Sequence, residues 1–188
     1  MIDQRKVEKL QSEFFGTRYV GATLSKVMLP EEYTKTLIDW KSDPSKILLL
    51  YGPPGVGKTY ICAAFLEWRP ANCFTFRAYN ERSILERLRG VIGQNQGDYM
   101  QYLHELIDDD FIIIDDLGSA GANDWRKESV MEIVDYRYNR RLPTIITSNL
   151  DKQEFERQYG FRVASRLFAK ENAIINLDGM DDQRALGN

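Results

Sequence analysis

The chain has 188 residues, 43% hydrophobic and 28% charged, the proportions of one ordinary globular domain. Its formal net charge of −3 gives no general attraction to nucleic acid, so any contact with DNA must come from a local basic surface. No apolar run approaches the roughly 18 residues that span a membrane, and the opening stretch MIDQRKVEKLQSEFF lacks the apolar core of a signal peptide, which together point to a cytoplasmic protein.

The spacing of Val7, Leu10 and Phe14 predicts a short amphipathic helix over residues 4–15, broken by Gly16. Residues 17–30 read as irregular chain, and 31–41 as a second helix ending before Asp43-Pro44. From residue 47 the pattern changes to short apolar runs alternating with helical segments. The runs are ILLLY (47–51), CFTFR (73–77), FIIID (111–115), PTIITS (143–148) and AIINL (173–177). Each is short and rich in β-branched or aromatic residues, as fully buried strands are. Between them run helical stripes: Ile84, Leu85, Leu88 and Ile92, then Val130, Met131, Val134 and Tyr138. Residues 80–107 read as two helices broken at Gly93–Gly97. Buried strands joined by helices imply a parallel sheet covered on both faces, with ligands beyond the carboxyl ends of its strands. Trp40, Trp68 and Trp125 are expected in the core or at its edge, and Cys62 and Cys73 as buried thiols of a reducing compartment.

Directly after the first run comes Gly52-Pro53-Pro54-Gly55-Val56-Gly57-Lys58-Thr59, which matches G-x-x-x-x-G-K-[ST] in full, followed by Tyr60. Its glycines let the backbone curl so that successive N–H groups face phosphate oxygens. Lys58 is placed to reach the β and γ phosphates, and the Thr59 hydroxyl to ligate magnesium. The following helix is expected to run to Arg69 and stop at Pro70. A second element, Phe111-Ile-Ile-Ile-Asp115-Asp116, ends a buried strand in adjacent carboxylates. Asp115 would hold Mg2+ through water, and Asp116 would orient an attacking water. A third, Thr147-Ser148-Asn149, is either a polar contact for the γ-phosphate or a plain strand-ending turn. His104, the sole histidine, is expected to face solvent or cap a helix.

With these elements aligned, the chain resembles the AAA+ ATPases, and among them the DnaC/IstB group of bacterial helicase loaders and transposition helpers. The resemblance is strongest in IIIDDLG (112–118), VMEIVDYRYNRRLPTIITSNL (130–150) and RVASRL (162–167), and covers residues 17–184. It implies a P-loop NTPase fold, three-layer α/β/α, with a five-stranded parallel sheet in the order 5-1-4-3-2. It also implies a division into a short helix over 1–16, a possible docking segment for a partner, and an ATPase domain over 17–188. By position, Asn149 resembles the sensor of the γ-phosphate and Arg184 the second sensor arginine, which contacts the nucleotide of its own subunit. Arg166 resembles the arginine finger, which acts in trans on ATP held by a neighbouring copy in a homo-oligomer. Tyr19-Val20-Gly21-Ala22-Thr23 resembles the segment that brackets the base.

The function implied is an ATP- and Mg2+-dependent helicase loader acting on a replicative DNA helicase and single-stranded DNA. Arg77, Arg82, Arg87 and Arg89, interleaved with Glu81 and Glu86, form the candidate DNA patch, or else a solvated helix face. Two features depart from the family. Only about 16 residues precede the core, where loaders usually carry a helicase-gripping domain. Relatives often place a glutamate shortly after DDLG, whereas here Asp116 stands where many ATPases have a longer Glu, so turnover is expected to be slow and switch-like. The alternatives are an IstB-like transposition helper, a nucleotide-dependent interaction protein that does not hydrolyse ATP, and a small-molecule P-loop kinase.

Overall fold

The computed structural model describes residues 3–27, 29–68, 75–90, 96–119, 121 and 123–183, the side chains of 96–98 excepted. The first helix, α1 (Gln4–Phe15), is started by Asp3, whose carboxylate accepts from the Arg5 N–H, and is ended by Gly16 at φ 97°. Two single 3-10 turns, Thr17–Tyr19 and Leu24–Lys26, lead to α2 (Glu31–Ser42). Strands and helices then alternate: β1 (Ile47–Tyr51), α3 (Lys58–Ala64), β2 (Phe76–Asn80), α4 (Glu81–Arg89), α5 (Gln96–Ile107) and β3 (Phe111–Leu117). They are followed by α6 (Asp124–Asn139), β4 (Thr144–Ser148), α7 (Lys152–Tyr159), α8 (Phe161–Leu167) and β5 (Ala173–Asn176).

The five strands form one sheet in the order β2-β3-β4-β1-β5, and every neighbouring pair is parallel. Read from its other edge, this is the order 5-1-4-3-2 that the resemblance implied. Alternation along β3 shows how the sheet divides the core. Ile112 and Ile114 join Leu85, Leu88, Leu106, Val130 and Val163 on one face. Phe111 and Ile113 join Val7, Leu37, Trp40 and Ile61 on the other. The helices thus sandwich the sheet in three layers, α1, α2 and α3 against α4 to α8.

Two boundaries differ from expectation. The second strand lies three residues later than 73–77, because Ala78 and Tyr79 carry its burial and Asn80 both ends it and caps α4 through the Ser83 N–H. The helix expected to reach Arg69 leaves α geometry after Ala64 and closes with a 3-10 turn, Phe65–Glu67. There Phe65, Trp68, Trp40 and Phe111 gather with ring centroids 5.5–6.3 Å apart, and this aromatic cluster decides the chain path. Arg69, Pro70, Cys73 and Ile92 lie outside the described residues. Cys62 is a buried free thiol, Trp125 is half-buried, and His104 stacks on Tyr136 at 4.6 Å instead of standing free in solvent. Among the described residues no helix is long and apolar enough to cross a membrane.

Candidate nucleotide site

The phosphate loop spans the gap from β1 to α3, with Gly52, Gly55 and Gly57 at φ 142°, 92° and 98°. Gly55 and Gly57 need left-handed backbone that only glycine adopts without strain. Lys58 is 7% exposed, and its ammonium donates to the carbonyls of Gly52 at 2.6 Å and Pro53 at 2.7 Å, so it lies folded over its own loop.

The end of β3 meets this loop. The Thr59 hydroxyl donates to the Asp115 carboxylate at 3.0 Å and 3.2 Å, although the two residues are 56 positions apart. Thr147, at the end of β4, donates to Asp115 at 2.6 Å and accepts the Asp116 N–H at 2.8 Å. The β3–β4 register slips between Ile114 and Leu117 and Asp116 takes φ 59°, so the ladder to β4 is interrupted at the acidic pair, while Asp115 stays paired with Asn80 of β2. The Asn149 amide donates to Asp116 at 3.2 Å. Burial raises the pKa of Asp115, against the lowering effect of its bonds from Thr147 and Thr59; the Asp116 charge adds to the rise and Lys58 opposes it.

These groups share one cleft of about 900 Å3. One side is the phosphate loop with Asp115, Asp116, Thr147 and Asn149; the other is formed by Arg18, Tyr19, Lys26, Val27 and Leu29, with Met180 and Gln183 at the edge. Of residues 19–23, which the resemblance put around the base, Tyr19 lines the cleft, whereas Ala22 packs in a small core with Ala63 and Ala64. Val27 and Leu29 are cleft residues that the motifs did not include; they belong to the apolar run Val27-Met28-Leu29 before Pro30. Tyr60 also lines the cleft. Arg184 lies outside the described residues, while Gln183 just before it donates its N–H to the Gly55 carbonyl at 3.0 Å.

Thr59 and Asp115 supply hard oxygen donors from two elements, the kind of set Mg2+ takes when phosphates fill its remaining positions. Among the described residues no group of three His, Cys, Asp or Glu side chains is arranged to hold a metal without such a ligand.

A buried carboxylate missed by sequence reasoning supports the turn after Asp116. Glu81 is fully buried and accepts the Gly118 N–H at 2.9 Å and the Tyr159 hydroxyl at 2.6 Å, while Gln158 donates to the Gly118 carbonyl at 3.0 Å. Burial, and then the Glu81 bond, push the Tyr159 hydroxyl far above the usual phenol range.

Arg166 sits away from this cleft. On α8, it and Arg162 both pair with Asp135 of α6, whose side chain is 9% exposed. The four arginines of the candidate DNA patch are exposed, and each has a partner in the chain: Arg77 with Asp109 at 2.8 Å and Arg82 with Glu86 at 2.7 Å. Arg87 lies over Tyr79 and Arg89 over Trp125.

The chain is 30% identical over 156 residues to the ATP-binding protein of insertion sequence IS1162 from Pseudomonas fluorescens, a match covering 79% of this chain and 65% of that protein. It is 23% identical to the replicative helicase loader DnaI of Bacillus subtilis, over 85% of this chain and 55% of the loader. The chain thus spans roughly half to two thirds of these curated relatives. Its fold is that of the DnaC helicase loader crystal structure, with a TM-score of 0.70, 23% identity and coverage of 85% of this chain and 98% of the other. The replication initiator DnaA bound to AMPPCP and single-stranded DNA matches with a TM-score of 0.67 and 14% identity over 82% of this chain and 49% of the other. The pattern of the family described as IstB-like ATP binding protein matches residues 32–167, a span that holds the phosphate loop, the Asp115 strand end and Arg166 alike. On that match the chain belongs to the IstB/DnaC family of AAA+ ATP-binding proteins.

Proposed function

We propose that this chain is a cytoplasmic, ATP-dependent assembly factor of the helicase-loader kind, which holds Mg2+–ATP at a subunit interface and acts on a replicative DNA helicase and single-stranded DNA. The observation that carries the nucleotide reading is the 3.0 Å approach of Thr59 Oγ1 to Asp115. A hydroxyl at the end of the phosphate loop and a part-buried carboxylate at the end of β3 meet where a magnesium–triphosphate would lie. The bound metal would offset charge on the phosphates. Lys58 would exchange its two loop carbonyls for phosphate oxygens, and the N–H groups from Gly55 to Tyr60 would cradle the rest, Pro53 and Pro54 having none to give.

Asp116 would orient the attacking water and Asn149, bonded to it, would read the γ-phosphate. An aspartate in place of a longer glutamate favours slow turnover. Arg184 would contact the nucleotide of its own subunit. Arg166 lines no part of its own cleft, which fits a finger that serves a neighbouring copy. The loader assignment draws on the relatives named as helicase loaders. DNA contact through α4 would require Arg77, Arg82, Arg87 and Arg89 to release their present partners.

A second reading has its own support: the identity to the IS1162 protein exceeds that to the loaders. A transposition helper would prefer duplex DNA and a transposase. The decisive experiment mixes the protein with its own organism's replicative helicase and measures native mass with ATP, with ADP and with Lys58→Ala. A complex that forms with ATP and is lost in the other two cases is expected. Indifference to both helicase and nucleotide refutes the loader reading, and a duplex preference transfers the function to the transposition helper. Arg166→Ala is expected to leave ATP binding intact and to abolish turnover.

A further inference from the structure

Gln11 is a fully buried polar side chain on α1. Its amide nitrogen donates to the Ala22 carbonyl at 2.8 Å and the Ala63 carbonyl at 3.1 Å, and its amide oxygen accepts the Gly21 N–H at 2.7 Å. Ala63 belongs to α3, the helix that grows out of the phosphate loop. Gly21 and Ala22 lie two and three residues after Tyr19, a wall of the cleft. One side chain therefore joins the amino-terminal helix, the cleft wall and the phosphate-loop helix.

Apolar packing holds the wall beside these bonds. Its own regular structure, among the described residues, is two 3-10 turns of three residues each, and none of its described residues belongs to the sheet. Ala22 packs on Ala63 and Ala64 with Tyr19, Leu24 and Val27 against them, Leu24, Val27 and Leu29 also pack on the core around Leu50 and Ile61, and Tyr19 meets Phe15 of α1 edge-on at 6.4 Å. The phosphate half of the cleft is secured separately, by the bonds among Thr59, Asp115 and Thr147. The hydrogen bonds of Gln11 reach none of these.

We propose that Gln11 is a positioning residue for the base: it sets the wall carrying Tyr19 against the phosphate loop, so that α1 governs the adenosine half of the site and leaves the phosphate half unaffected. This rests on the cleft binding ATP. It also gives residues 1–16 a task inside the domain, whatever else their exposed face meets.

The test substitutes Gln11→Met, which keeps the volume and removes all three bonds, and measures calorimetric binding of ATP and of inorganic tripolyphosphate, both with Mg2+. ATP is expected to bind about tenfold more weakly, and tripolyphosphate within about twofold of wild type, because only the base contacts are loosened. A side chain that merely supported the fold would weaken both ligands together or neither, and either result overturns the proposal. Wild-type protein that binds neither ligand removes the nucleotide reading itself, and the proposal falls with it. Should Gln11→Met not fold, hydrogen exchange on wild type decides: the Gly21 amide is expected to be slowed by AMP and not by tripolyphosphate, and equal protection by the two overturns the idea.

Discussion

Thr147→Val tests how the acidic strand end is held. Valine has nearly the shape of threonine, so it leaves packing at this buried position unchanged while deleting two hydrogen bonds. One is the 2.6 Å bond to the Asp115 carboxylate, and the other satisfies the Asp116 N–H at 2.8 Å. Losing a bond to a charged acceptor and stranding an amide costs about 2–4 kcal/mol together, a large part of the roughly 5–15 kcal/mol that stabilises an ordinary domain. The pH dependence is the sharper signature. Burial raises the pKa of Asp115 above its unfolded value, and the Thr147 bond opposes that rise. A carboxyl with a raised folded pKa contributes stability that is complete below the unfolded pKa and is lost as pH climbs through the folded one. Without Thr147 the folded pKa rises further, so the deficit of the variant must widen as pH climbs through that window and narrow in acid. Urea unfolding of both proteins across this range measures it. A deficit that does not change with pH, or one within the roughly 0.5 kcal/mol of an inconsequential substitution, would refute the reasoning.

Two further substitutions separate binding from stability. Gly55→Ala would force alanine to φ 92° with its Cβ 2.3 Å from an Asp182 carboxylate oxygen, so Asp182 must move and the left-handed backbone costs about 1–2 kcal/mol; a lower melting temperature and weaker ATP binding by calorimetry are expected. Arg137→Lys addresses a fully buried guanidinium that donates to Thr144 Oγ1 at 3.0 Å and the Ile107 carbonyl at 2.8 Å, and also to the Asp109 and Pro143 carbonyls. Lysine cannot reproduce that planar fork, so unfolding in denaturant should show a loss of about 2–4 kcal/mol, with ATP affinity of the folded protein unchanged.

Arg137 falls within a stretch that carries the family resemblance, and it bonds to main-chain carbonyls and Thr144 in the core, away from the cleft. The central strands were legible because they are buried on both faces, so ILLLY maps onto Ile47–Tyr51 without adjustment, whereas the half-exposed edge strand β2 begins three residues later than its apolar run. Helix α1 was legible through its apolar spacing and Gly16. The strand order was not, since spacing carries no information on which strands pair; the resemblance supplied it. Glu81 was hidden for a different reason. A glutamate opening a helix between a strand and an arginine-rich segment reads as a solvated charge, and the partners that bury it, Gly118 and Tyr159, are 37 and 78 residues away. Gln11 was hidden likewise, by a partner 52 residues off.

The end of β3 is fixed from several directions at once. Thr59 holds it from α3, Thr147 and Ser148 from β4, Glu81 from α4, and Gln158 from α7. A residue such as Asp116 keeps a left-handed backbone only where its surroundings leave it no alternative, and these bonds supply that constraint. The cations present the opposite case. Lys58 is bound to the Gly52 and Pro53 carbonyls, and Arg166 to Asp135. For either to touch a phosphate, it must give up protein oxygens that already hold it. On the proposed reading, nucleotide binding would be an exchange of partners by these basic groups, Lys58 in its own cleft and Arg166 in a neighbour's. Its free energy would then be the difference between two charge-assisted sets of bonds, not the full value of the new one.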